Sequence, residues 1–171
     1  MSKVFLLLGG NIGNRKENLE KSACLIKKKI GNIIKSSSVY ETEPWGFNDN
    51  LLFLNQVVYV ETELNPYLLI SKILEIENSL GRKRSKKQWT SRTIDIDMLF
   101  YDDIIINEKE LKIPHPLIDK RRFVLVPLAE ISENFVHPVK NKTIKELLHI
   151  CPDKLKVERY NLNNYFVRSL H

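Results

Sequence analysis

The sequence predicts an α+β fold: a ferredoxin-like βαββαβ core, in which an antiparallel sheet carries helices packed on it, followed by C-terminal additions. Three observations lead there. A short, wholly apolar run from Val4 to Leu8 reads as a central strand. Two stretches, at about 15–30 and 66–80, repeat apolar residues at helical spacing. Around them lie runs of β-branched and aromatic residues that read as strands.

The segment Gly9-Gly10-Asn11-Ile12-Gly13-Asn14 ends the first strand and reads as a tight strand-to-helix turn. It lacks the Gly-Lys-Ser/Thr ending of a phosphate-binding loop. Leu19, Ala23, Ile26 and Ile30 define the first helix, which Gly31-Asn32 stops. Residues 33–43 read as a strand that ends at Pro44, and 44–50 as a loop. Residues 52–62 form the next strand. Asn65 is the N-cap and Pro66 the first residue of the second helix, which Gly81 ends. Thr93 to Tyr101 alternates as a strand, and Ile104 to Ile106 is expected to pair with it across Asp102-Asp103. Two helices then cover one face of the sheet. Beyond lie Pro114-His115-Pro116, a short helix near 118–123, an apolar segment at 124–131, a helix at 143–149 and an edge strand at Leu155 to Glu158. No linker or repeat interrupts the chain, so one domain is expected over 1–171, with its core at about 3–150 and a tail at 151–171.

Apolar residues make up 43% and charged residues 28% of the 171, an ordinary balance for a globular chain. The longest apolar runs are too short to span a bilayer. Met1-Ser2-Lys3 followed by five apolar residues does not read as a signal peptide, so a cytoplasmic protein is expected. The two cysteines, Cys24 and Cys151, suggest neither a disulfide framework nor a zinc site. Cys24, within the first helical pattern, reads as a core or near-core residue.

The net charge of +6 is unevenly spread. From Arg82 to Arg92 the chain reads RKRSKKQWTSR, with six cations and no acid, and Asp95 and Asp97 follow at once. In a strand those two carboxylates share a face, with Cα atoms roughly 6.5 Å apart. Ile94, Ile96, Met98 and Phe100 take the other, core face. Paired carboxylates facing one way suit Mg²⁺, which accepts one or two of them plus waters and phosphate oxygens. Arginines suit the rest of a polyphosphate. The plain alternative is a solvated strand face beside a solvated charge run. Trp89 has no evident core partner, and an exposed aromatic in a polar loop can close over a flat ligand. His115, pinned between prolines, is either structural or within reach of the same phosphates. Two other functions stay open on these residues. A ferredoxin-like sheet with a basic patch can bind RNA, although no paired aromatic motif of that kind is present. A two-metal nucleotidyltransferase can also use D-x-D on a strand.

Longer motifs narrow the choice. Gly81-Arg82, Arg84, Trp89-Thr90-Ser91-Arg92-Thr93-Ile94-Asp95-Ile96-Asp97, then Pro114-His115-Pro116 and Arg121-Arg122-Phe123-Val124-Leu125-Val126-Pro127-Leu128, resemble the signature of the 6-hydroxymethyl-7,8-dihydropterin pyrophosphokinases of folate synthesis. Leu8-Gly9-Gly10-Asn11, Tyr40-Glu41-Thr42-Glu43-Pro44 and Phe53-Leu54-Asn55 fall in register with it. The resemblance spans about 3–150. It implies the ferredoxin-like fold, ATP as co-substrate, two Mg²⁺ ions and a reduced pterin alcohol as acceptor. It implies that Asp95 and Asp97 hold the metals and that Arg82 and Arg92 clamp the phosphates. Arg84, His115 and Arg121 would add phosphate contacts, and Glu77 would order the nucleotide side. The pterin would lie between Phe53 and Phe123, with Asn55 and the chain near Thr42, Pro44 and Trp45 at its edge, Asp95 nearby and Trp89 closing over both substrates. Small molecules are then the expected partners of a monomer, with no nucleic acid and no membrane. The chain departs from the commonest pattern at Gly10, Leu74, Ser85, Gln88 and Thr90-Ser91, which bears on single phosphate contacts and on the stiffness of the 82–92 segment.

Overall fold

The wholly apolar run at the start needs burial on both faces, and the computed structural model, which describes residues 1–82 and 90–161, provides it. Strand β1 (Ser2–Gly10) sends Val4, Leu6 and Leu8 into one apolar cluster and Phe5 and Leu7 into another. Helix α1 (Arg15–Lys29) starts where the Asn14 side chain accepts from Glu17 N at 3.1 Å. It carries Glu17 in its first turn and three lysines in its last, as the helix dipole favours. Its buried line is Leu19, Ser22 and Ile26. Cys24 is exposed, contrary to the sequence reading. Ser22 is the buried small residue on that face, because its hydroxyl is satisfied by Asn18 O at 2.6 Å.

The single strand expected at 33–43 is two: β2 (Gly31–Ser36) and β3 (Tyr40–Thr42). Both pair with the same edge of β4 (Phe53–Thr62). Between them Ser37 exchanges bonds with Val57, its N–H donating to Val57 O and its Oγ accepting from Val57 N. The extra residue there shifts the register. Helix α2 (Pro66–Ser79) is capped as expected, the Asn65 side chain accepting from Tyr67 N and Leu68 N. Gly81 follows it in the left-handed region at φ +81°.

Strand β5 (Asp95–Tyr101) pairs with the other side of β1. Opposite Phe5 and Leu6 the register shifts, leaving Leu99 as a bulge. Ile96 and Met98 therefore share a cluster, but Phe100 turns to the opposite one, which corrects the strict alternation predicted for this strand. The expected hairpin across Asp102-Asp103 does not form. Instead β6 (Ile106–Asn107) pairs with β7 (Lys112–Ile113) in a sheet of their own.

After a 3₁₀ turn at Ile118–Lys120, α3 (Arg122–Ser132) runs straight through Pro127. Burial of Val124, Leu125 and Leu128 on one side outweighs the proline there. Helix α4 (Ile144–Ile150) opens with a capping box between Thr143 and Glu146. Strand β8 (Val157–Arg159) joins the free edge of β3, starting two residues and ending one residue later than expected.

The large sheet thus runs β5-β1-β4-β3-β8, with β2 beside β3 on the β4 edge, all antiparallel. This is the ferredoxin-like βαββαβ core. Residues of α1 and α2 pack on one face, as expected. Residues of α3 and α4 cover part of the other, which the sequence did not show. Among the described residues no helix is long and apolar enough to cross a membrane.

The turn after β1 lies hard against the start of β5: Asn11 N and Ile12 N both donate to Arg92 O, at 2.9 and 3.2 Å. A Cβ at Gly10 would stand 2.3 Å from Thr93 O. Gly10→Ala should therefore lower stability by about 1–3 kcal/mol, the usual range for overpacking. Urea unfolding checks this; an unchanged midpoint would show that the two segments separate at little expense.

Candidate active site

A strand's two-residue period puts Leu7 and Gly9 of β1, Phe53 and Asn55 of β4, and Asp95 and Asp97 of β5 on one face. Register then aligns them, with Gly9 opposite both Asn55 and Asp95. The Phe5, Val57 and Phe100 end of this face lies under α3 and α4. The Gly9 end does not, and a cleft of about 530 Å³ opens there. Trp45, Phe47, Phe53 and Phe123 line it with Arg92 and Arg121. Gly9 is needed in the floor, since a Cβ would come within 2.4 Å of Asn55 Oδ1. The buried Asn55 amide donates to Thr42 Oγ1 at 2.7 Å, which fixes its orientation.

Asp95 is held by two arginines. Its Oδ1 accepts from Arg82 Nη1 at 2.5 Å, and its Oδ2 pairs with Arg92 Nη1. Arg82 also pairs with Glu77, which is 1% exposed and accepts from Ile96 N at 2.8 Å. Arg121 lies over two rings, its guanidinium 4.7 Å from the Trp45 ring centroid and 5.7 Å from that of Phe123. Its buried Nε has no hydrogen-bond acceptor among the described residues.

Burial, and then the charge of Asp95, raise the Asp97 carboxyl above its ordinary value, against the pull of Arg121 and Arg92. Burial likewise raises Glu77, with Asp95 adding to it and Ile96 N and Arg82 opposing. Desolvated like charges of this kind are relieved by a cation. Among the described residues no three His, Cys, Asp or Glu side chains converge as a ready metal cage. The donor set, two carboxylates on one face, fits a hard ion that completes its shell with water and phosphate oxygens.

A second, more open cleft of about 610 Å³ lies beyond Asp97. Lys109, Lys112 and His115 line it with Ile70 and Met98, and Asp97 borders both clefts. The structure thus brings together Arg82, Arg92, Asp95, Asp97 and Arg121, with Glu77 behind Arg82. Thr42, Trp45, Phe53, Asn55 and Phe123 line the first cleft, whereas Pro44 does not. Arg84 and Trp89 lie outside the described residues.

Sequence reasoning passed over Phe47 and Glu43 in the first cleft and Lys109 and Lys112 in the second. Phe47 shares the signal that marked Trp89, an aromatic in a polar loop, since 44–50 is also polar in composition. It also passed over Asn11, which is 3% exposed and joins two loops. Asn11 Nδ2 donates to Asp49 Oδ2, Leu51 O and Ser91 Oγ, and its Oδ1 accepts from Arg92 N at 2.8 Å.

Comparison with known proteins identifies the family and the fold. The model of a family described as 7,8-dihydro-6-hydroxymethylpterin-pyrophosphokinase matches residues 5–133. A 2-amino-4-hydroxy-6-hydroxymethyldihydropteridine pyrophosphokinase of Aquifex aeolicus is 42% identical over 146 residues, 85% of this chain and 90% of its own. One of Bacillus subtilis is 41% identical over 131 residues, covering 76% and 78%. A crystal structure of Plasmodium falciparum HPPK-DHPS with SDX-DHP shares the fold, with a TM-score of 0.72 at 22% identity over 87% of this chain. This chain spans 43% of that one.

Burial and the nearby Arg121 charge push the His115 ring down to about 4, from an ordinary 6.5. Its Nδ1 accepts from Leu117 N at 3.3 Å, which also needs that nitrogen unprotonated. The unfolded chain takes the proton first, so this contribution to stability is whole above pH 6.5 and is lost as pH falls toward 4. An NMR titration of the ligand-free protein should find the His115 ring neutral at pH 5. A midpoint near 6.5 would contradict its burial.

Proposed function

The chain belongs to the 7,8-dihydro-6-hydroxymethylpterin-pyrophosphokinase family, and from that premise we infer that it transfers a diphosphate group from ATP to the hydroxymethyl group of 6-hydroxymethyl-7,8-dihydropterin, with release of AMP, in folate biosynthesis. One observation supports this above the others: Asp97 borders two clefts, one walled by aromatic rings and one without them. The aromatic cleft suits a flat pterin, with Phe53 and Phe123 for its faces and Asn55 and Thr42 for its polar edge. The second cleft suits a nucleotide, with Lys109 and Lys112 for its phosphates and the neutral His115 ring beside Ile70 and Met98. The reacting groups would then meet at Asp95 and Asp97.

In our reading Asp95 and Asp97 hold Mg²⁺, two ions in all, which when bound would neutralise phosphate charge. The arginines supply the remaining positive charge. In the free protein Arg82 and Arg92 satisfy both oxygens of Asp95. Phosphate oxygens offer guanidinium groups equivalent partners, so the arginines can turn to substrate and leave Asp95 to the cations. Arg121, already desolvated beside Trp45 and Phe123, has a donor to spare among the described residues. The pterin hydroxyl attacks the β-phosphorus and AMP leaves. Charge on the phosphate oxygens is the chief burden of the transition state, so fixed cationic groups matter more than a strong base. Trp45, Phe47 and Phe123 would keep water from the transferring group. We read the protein as a monomer that acts on small molecules in the cytoplasm.

Incubation with ATP, Mg²⁺ and 6-hydroxymethyl-7,8-dihydropterin should yield AMP. Pyrophosphate in its place would mean nucleotidyl transfer. Asp97→Ala should abolish turnover, and a near-wild-type rate would contradict the metal assignment. Arg92→Ala should slow kcat by about 10²–10³-fold, as loss of one electrostatic stabiliser does elsewhere. Steady-state assays read both.

A further inference from the structure

The chain beyond α4 has no part in the reading above, and the family match ends at residue 133. Yet the stretch at 151–160 touches both walls of the aromatic cleft. We propose that this segment is a brace that sets the separation of those walls, with Asp153 as its positioning residue; the proposal rests on the assignment of that cleft to the pterin.

The brace is anchored at one end by Cys151, 3% exposed in the apolar cluster of α3 and α4. Next, Asp153 Oδ2 accepts from Arg122 N at 2.9 Å. Arg122 is the first residue of α3, and that helix has no side-chain cap from its own N-cap residue, Arg121. Asp153 therefore supplies the missing acceptor, with its charge at the positive end of the helix dipole. Its other oxygen accepts from Leu155 N at 2.9 Å, which ties the carboxylate to the brace itself. The capped residue stands between Arg121 and Phe123, both of which line the cleft. Asp153 thus acts on the pterin through them and need not touch it.

The far end of the brace grips the opposite wall. Lys156 N donates to Glu43 Oε2 at 2.8 Å, and Glu43 lines the cleft. Val157 pairs with Thr42 in register, and Thr42 holds the Asn55 amide. Tyr160 N donates to Val39 O at 2.8 Å, and its ring lies 5.8 Å from the guanidinium of Arg15. Arg15 in turn donates to Leu52 O at 2.8 Å, at the end of the loop that carries Trp45 and Phe47. No step of this path crosses the second cleft, and Lys156 acts on a wall that carries no phosphate ligand, so loss of the Glu43 contact should affect the pterin and spare ATP, whereas loss of the Asp153 cap, which also reaches Arg121, should affect the pterin more than ATP.

The test compares Asp153→Ala, Asp153→Asn and Lys156→Pro with wild type. Lys156→Pro removes the N–H that Glu43 accepts and leaves the α3 cap in place, so it stands in should the first variant fail to fold. Asp153→Ala and Lys156→Pro should each raise KM for the pterin about tenfold, since small displacements of positioning groups are costly. KM for ATP should stay within about twofold in Lys156→Pro and rise less than that for the pterin in Asp153→Ala, and Asp153→Asn, which keeps an acceptor oxygen, should recover most of the loss. Equal effects on both substrates, or an unchanged pterin KM in both variants, would overturn the proposal. Hydrogen exchange gives a readout that is independent of the substrate's identity: amides of β3 should exchange faster in Asp153→Ala, and unaltered exchange would also overturn it. If the wild-type protein makes no AMP, the functional reading fails, and the exchange result alone decides whether the brace exists.

Discussion

The register of β1 between β4 and β5 is the constraint on which the rest depends. Gly9 lies opposite Asn55 on one side and Asp95 on the other, so the polar residues of β4 and β5 stand in one row across it. Because side chains alternate, a slip of one residue would turn this row toward α1 and α2 and bring Leu8 to the cleft floor. The apolar residues of β1 forbid that slip, since Val4, Leu6 and Leu8 already fill the other core. Packing energy at one end of the strand thus fixes chemistry at the other.

The bulge at Leu99 completes the division of that face. It lets β5 show carboxylates at one end and a phenyl ring at the other, without exposing either core. Phe100 reaches Phe5 at 6.1 Å and Phe135 at 4.8 Å between ring centroids. Tyr101 turns back to the first core, its hydroxyl donating to Leu64 O at 2.8 Å. Where α3 and α4 cover the face there is core, and where they stop there is a cleft.

Electrostatics then sets what that cleft can hold. Asp97 and Glu77 are crowded beside Asp95 where burial disfavours their own charge, and Arg82, Arg92 and Arg121 converge on the same place. Such a cluster is balanced only while each charge keeps a partner. In the function proposed above, a polyphosphate with its metals would bring both signs together and offer these groups new partners. The same crowding explains why Asp95 is satisfied by arginines in the free protein.

What the sequence determined by itself is local. The Asn65-Pro66 start and Gly81 end of α2 and the shared face of Asp95 and Asp97 each follow from residues a few positions apart. The family was legible too, through motifs such as Trp89 to Asp97. The tertiary structure decided the rest. It left Cys24 outside and put Ser22 inside, although both sit in one helical pattern. It carried α3 through Pro127, placed the bulge at Leu99 and paired β6 with β7. It also made Asn11 a junction with Ser91, 80 positions away. Caps and periods are fixed by short-range sterics and hydrogen bonds, which a sequence displays. Which face is buried, and which distant group completes a buried amide, depends on elements brought together only when the chain has folded.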